Sequence, residues 1–255
     1  MVLTADRHVK CIYKDSDRNI QLRDGSLALT IRRDSDSYRQ GNDTQWYTSA
    51  KVVASTPRNG IAFVEIRAAL PRGKMLSPEI KIYRFQSFTA YLISKNDGKR
   101  RFQDDRTVYT YPPKRNSSLD MKYKTYPDTD ALISKSDLTN FHTYALELNR
   151  HEIHWLFDGR KQMSLTGVYT HDFQSDPVHI SMALNIGGNE YANQSLDDSD
   201  HMGWQCSAFI VDYIRVYKWS DMDIAPNTTD LNPVQSATIC HDIMQEIKDE
   251  QLPRG

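Results

Sequence analysis

The sequence predicts an all-β protein, a sandwich of two antiparallel sheets with one short helix near the C-terminal end. Three observations carry this. Apolar and polar residues alternate with period two in segment after segment, and β-branched and aromatic residues are enriched in them, as in half-buried strands. Turn-forming pairs separate the segments: Asp24-Gly25, Asn59-Gly60, Asp97-Gly98, Asp158-Gly159 and Gly187-Gly188. Finally, 255 residues with 39% hydrophobic and 25% charged content suit one globular body, and many short strands at regular spacing favour a sandwich.

The elements follow in chain order. Ser26 to Arg32 reads as the first clear strand, entered through Asp24-Gly25, and Ile61 to Arg67 as the next. Lys74 to Tyr83 and Phe85 to Ser94 form two further runs, the second without a single acidic residue. Thr143 to Leu148 and Glu152 to Phe157 are a strand pair, after which Asp158-Gly159 makes a two-residue turn. Phe209 to Tyr217 is the last strand. Beyond Trp219 the composition changes: Pro226, Asn227, Thr228, Thr229 and Pro233 make a polar linker, and Ser236 to Gln251 suits one short helix. The boundaries are thus a sandwich over 1–219 and a linker with helical tail over 220–255.

A formal net charge of −1 gives no long-range field to attract a polyanion, so nucleic acid and acidic membrane surfaces are not expected partners. No run approaches the roughly 20 apolar residues of a membrane span, and Met1 to Lys10 lack the apolar core of a secretory signal. Four Asn-x-Ser/Thr sequons, at Asn42, Asn116, Asn193 and Asn227, would suit a secreted surface. The three cysteines, Cys11, Cys206 and Cys240, allow at most one disulfide and show no zinc or redox spacing. His151, His154 and His171 show no metal-ligand spacing either.

Five segments, in order, resemble the laminarinase-like proteins of glycoside hydrolase family 16 and their non-catalytic relatives, the β-1,3-glucan recognition proteins. Phe141-His-Thr-Tyr-Ala-Leu-Glu-Leu148 and His154-Trp-Leu-Phe-Asp-Gly159 are similar to the family's FHTYGIEW and IRFYVDG hairpin. Val64 to Gly73 resembles FEIRAKLPKG, Pro177 to Gly188 resembles PFYLILNLAVGG, and Val211 to Tyr217 resembles VDYVRVY. With Arg18-Asn19 and Asp24-Gly25-Ser-Leu, the resemblance spans about residues 10–219 and implies a concanavalin A-like jelly roll.

For its chemistry the family uses an E-[IL]-D-x-x-E strand, with one Glu as nucleophile and the last as acid/base. Retaining hydrolysis needs those carboxyls about 5 to 5.5 Å apart. Two alignments compete. In the first, Gly73 to Tyr83 occupies the strand before the motif, and the motif falls on Phe88, Ala90 and Ile93, none of them acidic. In the second, Glu79, Lys81 and Arg84 are the motif, which keeps a nucleophile but no proton donor. The first only shortens a surface loop, whereas the second deletes a strand from the middle of a sheet, so the first is favoured.

The resemblance therefore implies a non-catalytic protein that binds a neutral polysaccharide of the β-glucan type, with no cofactor required. Trp46, Tyr109, Tyr91 and Trp204 are its candidate sugar contacts, while the family's stacking positions hold Ser77 and Lys81. Gly25 and Asp212 occupy positions where relatives hold a structural calcium, two oxygens of the six or more that such an ion takes. Two readings stay open beside this one: an active endo-β-glucanase that uses displaced carboxylates such as Glu79 with Asp104 or Asp105, and a sandwich without glycan binding. The family implies an extracellular setting, although this chain reads as having no export signal.

Overall fold

A computed structural model describes residues 10–40, 43–56, 61–84, 88–93, 122–125, 137–149, 152–166, 178–187, 204, 206–218 and 234–251. Among them lie strands β1 (Ile12–Tyr13), β2 (Ile20–Arg23), β3 (Ser26–Thr30), β4 (Arg32–Gln40), β5 (Asp43–Ser49), β6 (Lys51–Ser55), β7 (Ile61–Ala69) and β8 (Leu76–Arg84). They continue with β9 (Phe88–Ile93), β10 (Lys122–Thr125), β11 (His142–Leu148), β12 (Glu152–Phe157), β13 (Arg160–Thr166), β14 (His179–Ile186) and β15 (Ala208–Lys218), and the chain closes with helix α1 (Val234–Gln251). An eight-stranded sheet runs β10-β13-β12-β11-β7-β15-β3-β2, and a four-stranded sheet runs β6-β14-β8-β9. A three-stranded group, β1-β5-β4, joins the second sheet through the chain itself, since β5 and β6 are separated only by Ala50.

Alternation explains the layering. On β8, Ile80 and Ile82 are buried while Glu79, Lys81 and Tyr83 are partly exposed, the period-two signature of a strand with one face on the core. The core joins Val64, Ile66, Leu146, Leu148, Ile153, Trp155 and Phe157 of the larger sheet with Ile80, Ile82, Leu92, Ile180, Met182 and Leu184 of the smaller one. Trp155, Tyr144 and Phe157 are its largest fully buried side chains. This is the two-sheet sandwich that the alternation predicts, in the jelly-roll form that the family resemblance implies.

Two turns set the register of the larger sheet. Asp24 (φ 47°) with Gly25 (φ 79°) closes β2 onto β3, and Asp158 (φ 46°) with Gly159 (φ 72°) closes β12 onto β13. Positive φ at both central residues matches the right-handed twist of the flanking strands, and Asp-Gly tolerates it at least cost. Asp158 also accepts hydrogen bonds from the Thr143 amide (2.9 Å) and pairs with His142 Nδ1 (2.8 Å), which ties the turn to β11. Burial disfavours the charged His142 ring, but the Asp158 hydrogen bond and charge, with the Asp137 carbonyl, outweigh it and raise its pKa. Burial likewise disfavours the Asp158 carboxylate, and its bonds to His142 and Thr143 prevail and lower its pKa.

A raised histidine stabilises the fold below its unfolded pKa, near 6.5, and loses that contribution as pH rises through the folded value. A depressed carboxylate contributes above about 3.9 and loses it on acidification. The pair therefore contributes most between about pH 4 and pH 6.5. His142→Gln should cost more stability at pH 5.5 than at pH 8.5, by about 0.2–1 kcal/mol given the solvent exposure of Asp158. Chemical denaturation at the two pH values measures the difference; an equal loss at both would contradict it.

The helix begins at Val234, two residues before the predicted start, and it docks on the larger sheet. Ile239, Ile243 and Ile247, spaced four apart, bury one stripe against Ala28, Ala69, Phe141, Ala208 and Ile210. A disulfide joins Cys240 to Cys206, and Cys11 is free and buried. Glu246 completes the attachment by pairing with Arg23 and, at 3.5 Å, with the buried Arg32. No helix among the described residues is long and apolar enough to cross a membrane.

Candidate functional site

The outward face of the four-stranded sheet collects the polar residues that its inner face cannot hold. Register aligns Glu79, Ala183 and Lys51 in one row across β8, β14 and β6; Lys81, Ser181 and Val53 in the next; and Tyr83, His179 and Ser55 in a third. On the far side of β8, Lys81 is paired with Tyr91 and Tyr83 with Thr89. Glu79 is the one carboxylate in these four strands among the described residues, and its Oε1 lies 4.0 Å from Lys81 Nζ. Ser55 Oγ and His179 Nδ1 share a hydrogen bond of 2.7 Å, and the Tyr83 and His179 rings lie 5.3 Å apart. At the Glu79 end of the face, Tyr13 donates its hydroxyl hydrogen bond to Asn185 Oδ1.

The acid-free strand is present as β9, an antiparallel neighbour of β8. Ala90 is registered opposite Ile82 and Ile93 opposite Ile80, both buried, and the register shifts between Ile80 and Lys81. Leu92 joins the core; the side chains of Phe88, Ala90, Tyr91, Ile93 and Arg84 lie outside the described residues. Tyr109, Asp104, Asp105 and the four sequons also fall outside them.

Two expectations need correction. Trp204, a candidate sugar contact, is buried at 6% exposure, donates from Nε1 to the Lys74 carbonyl (3.0 Å) and packs beside Tyr47. Its indole fills the space over Gly73, where an added Cβ would meet Cδ1 at 2.2 Å. Gly73→Ala must therefore displace Trp204 and should cost about 1–3 kcal/mol, read as a lower denaturation midpoint with a changed tryptophan emission. Trp46, by contrast, is exposed at 45% and remains available to a ligand.

The second correction concerns calcium. Val211 pairs with Leu27, which sets Asp212 beside Ser26 and near Gly25, but the Asp212 carboxylate accepts a hydrogen bond from Arg67 Nη1. Arg67 already supplies the positive charge there, and among the described residues no group of three His, Cys, Asp or Glu could hold a metal ion. Gly25 and Asp212 do not fit a calcium site.

Sequence reasoning missed His179, Ser55 and Ser181. Their alternation was legible on Pro177 to Ile186, but the pairing of β14 with β6, which brings Ser55 to His179, was not.

No protein-family model matches the chain. It is 22% identical over 233 residues, 84% of this chain and 83% of the relative, to a glucan endo-1,3-beta-glucosidase of Cryptopygus antarcticus. Its fold is similar to LamA of Zobellia galactanivorans, solved with laminaritriose and laminaritetraose, at TM-score 0.54 and 17% identity over 82% of this chain and 85% of that one. It is similar also to the laminarinase catalytic domain of Thermotoga maritima, at TM-score 0.56 and 18% identity over 82% and 83%. The sequence likeness overturns the expectation of a non-catalytic protein, because a relative that matches 84% of the chain is a named glucan-cleaving enzyme. The chain thus has the fold of these laminarinases, and its sequence is similar over most of its length to a glucan endo-1,3-beta-glucosidase.

Proposed function

We propose that the protein is an endo-acting hydrolase of β-1,3-glucan, with the outward face of β6, β14, β8 and β9 as the floor on which the polymer lies. The observation that carries this reading is Glu79, a carboxylate on the central strand of that floor, turned away from the core and 4.0 Å from a lysine ammonium. A carboxylate on the ligand-facing side of a strand is the kind of group that a nucleophile or general base needs. Glycoside hydrolysis takes a second carboxyl, about 5–5.5 Å away for retention and farther for inversion. Asp104 and Asp105, in the chain that follows β9, are its candidates.

The exposed Trp46 offers an aromatic face for a pyranose, and we infer an extracellular setting for the protein. The disulfide between Cys206 and Cys240 supports that setting, since such bonds persist in oxidising compartments. The test is release of reducing ends by the purified protein from laminarin, with a β-1,4-linked glucan in parallel. Laminarin should be cleaved and the β-1,4 polymer left largely intact. A protein that releases nothing from either polymer, while folded, would refute the reading.

A further inference from the structure

The strand that carries Glu79 starts from a residue held in an unusual conformation. Met75, one residue before β8, is 1% exposed and has φ 64°. A residue with a side chain is disfavoured in the left-handed region and stays there only where its surroundings hold it. Two hydrogen bonds do so here. Gly187, just past β14, donates its amide to the Met75 carbonyl (2.8 Å), and Trp204 Nε1 donates to the Lys74 carbonyl (3.0 Å). With the Trp204 indole over Gly73, each of the three residues before β8 is gripped from outside the strand.

The grip continues to the helix. Cys206, two residues after Trp204, exchanges both backbone hydrogen bonds with Arg72 (3.0 and 3.1 Å), and its sulfur is bonded to Cys240 of α1. Cys206 is thus a joint with its main chain on the root of β8 and its side chain on the helix. It is buried, whereas Cys240 is partly exposed, so a small reductant approaches the bond from the Cys240 side. The ladder of β8 with β14 begins at Leu76 opposite Ile186, beside the Met75 to Gly187 bond, and sets Glu79 opposite Ala183. Side chains alternate between faces along a strand, so the way β8 enters the sheet decides where Glu79 stands on the floor.

We propose that the disulfide between Cys206 and Cys240 is a redox control on the glucan floor, acting through Trp204 on the root of β8. Its effect on turnover rests on the proposed function; its effect on β8 does not. A dithiol opens the bond by attacking one sulfur and then closing on itself. It leaves as a cyclic disulfide, having given up two electrons and two protons, and the protein keeps two cysteine thiols. Cys206 is then no longer anchored to α1, Trp204 loosens on Gly73 and Lys74, and β8 loses the fixed start that places Glu79.

The test compares the full chain oxidised, reduced with dithiothreitol and as Cys240→Ser, each well below its melting temperature. Amide exchange over residues 75–82 should quicken by at least about tenfold in the reduced protein and the variant, with β11 and β12 unchanged. On laminarin kcat should fall about tenfold, short of the roughly 10²-fold that a misplacement of about 1 Å costs. Reoxidation should restore the wild type, and the reductant should leave Cys240→Ser unaffected. Equal exchange over 75–82 in oxidised and reduced protein would overturn the proposal, as would exchange that quickens equally in β11 and β12. Laminarin cleaved at one rate in both redox states removes the control and leaves the hydrolase. No cleavage in either state, with exchange over 75–82 alone responding to reduction, removes the hydrolase and leaves the control on β8.

Discussion

Glu79→Gln should lower laminarin hydrolysis by at least about 10²- to 10⁴-fold, the range by which a positioned carboxyl acting as acid or base accelerates a reaction, with more lost if it is the nucleophile. The amide keeps the shape and the hydrogen bonding of the side chain but cannot accept a proton or attack an anomeric carbon. Because Glu79 is partly exposed and alternates with the buried Ile80, the substitution leaves the core untouched, and the melting temperature should not fall. Affinity for laminarin should also persist, since Glu79 is one residue on a floor four strands wide. A fall in turnover with intact binding and stability marks a group that acts in the chemical step. If Glu79→Gln cleaved laminarin as fast as the wild type, the working carboxylates would lie elsewhere.

Cys240→Ala should produce the largest loss of stability from any single change on the surface. The bond to Cys206 spans 34 residues of sequence, and chain-entropy arguments assign a loop of that size about 3–4 kcal/mol. In a protein of this length that corresponds to a fall in melting temperature of roughly 8–15 °C. The helix would remain held by Ile239, Ile243, Ile247 and the Glu246 ion pairs, so fraying of α1 should precede global unfolding. Hydrogen exchange across residues 234–251 against the core strands reads this directly. Reduction of the wild type should reproduce the variant; equal melting temperatures for oxidised and reduced protein would show that the bond contributes nothing.

Much of the fold was legible in the sequence because strand periodicity and turn chemistry are local. Asp24-Gly25 and Asp158-Gly159 announce their hairpins through the one conformation that such pairs favour, and the alternation of Ile80 and Ile82 with Glu79 and Lys81 announces which face is inward. The docking of α1 was less legible. The stripe of Ile239, Ile243 and Ile247 is visible, but its target, a patch of Ala28, Ala69 and Ala208, is assembled from three strands.

The site was read least well, since it depends on pairings far apart in sequence. Ser55 meets His179 only because β6 pairs with β14, 124 residues later. Trp204 read as a sugar contact because aromatic residues serve both clefts and cores, and only the missing side chain at Gly73 shows that this indole fills a gap. Asp212 read as a calcium ligand because the sequence does not reveal Arg67 as its partner across the sheet. The absence of acid on β9 was correct as a reading of residues, but it does not carry the conclusion of inactivity that was drawn from it. A carboxylate remains on the adjacent β8, and the likeness to a glucan-cleaving relative extends over 84% of the chain.

The most direct test of the central claim is the size distribution of laminarin during incubation with the pure, folded protein. Endo-acting hydrolysis predicts an early drop in polymer length, with laminari-oligosaccharides appearing before glucose and with no drop in the Glu79→Gln variant. A polymer profile that stays unchanged over long incubation with the wild type would contradict the account.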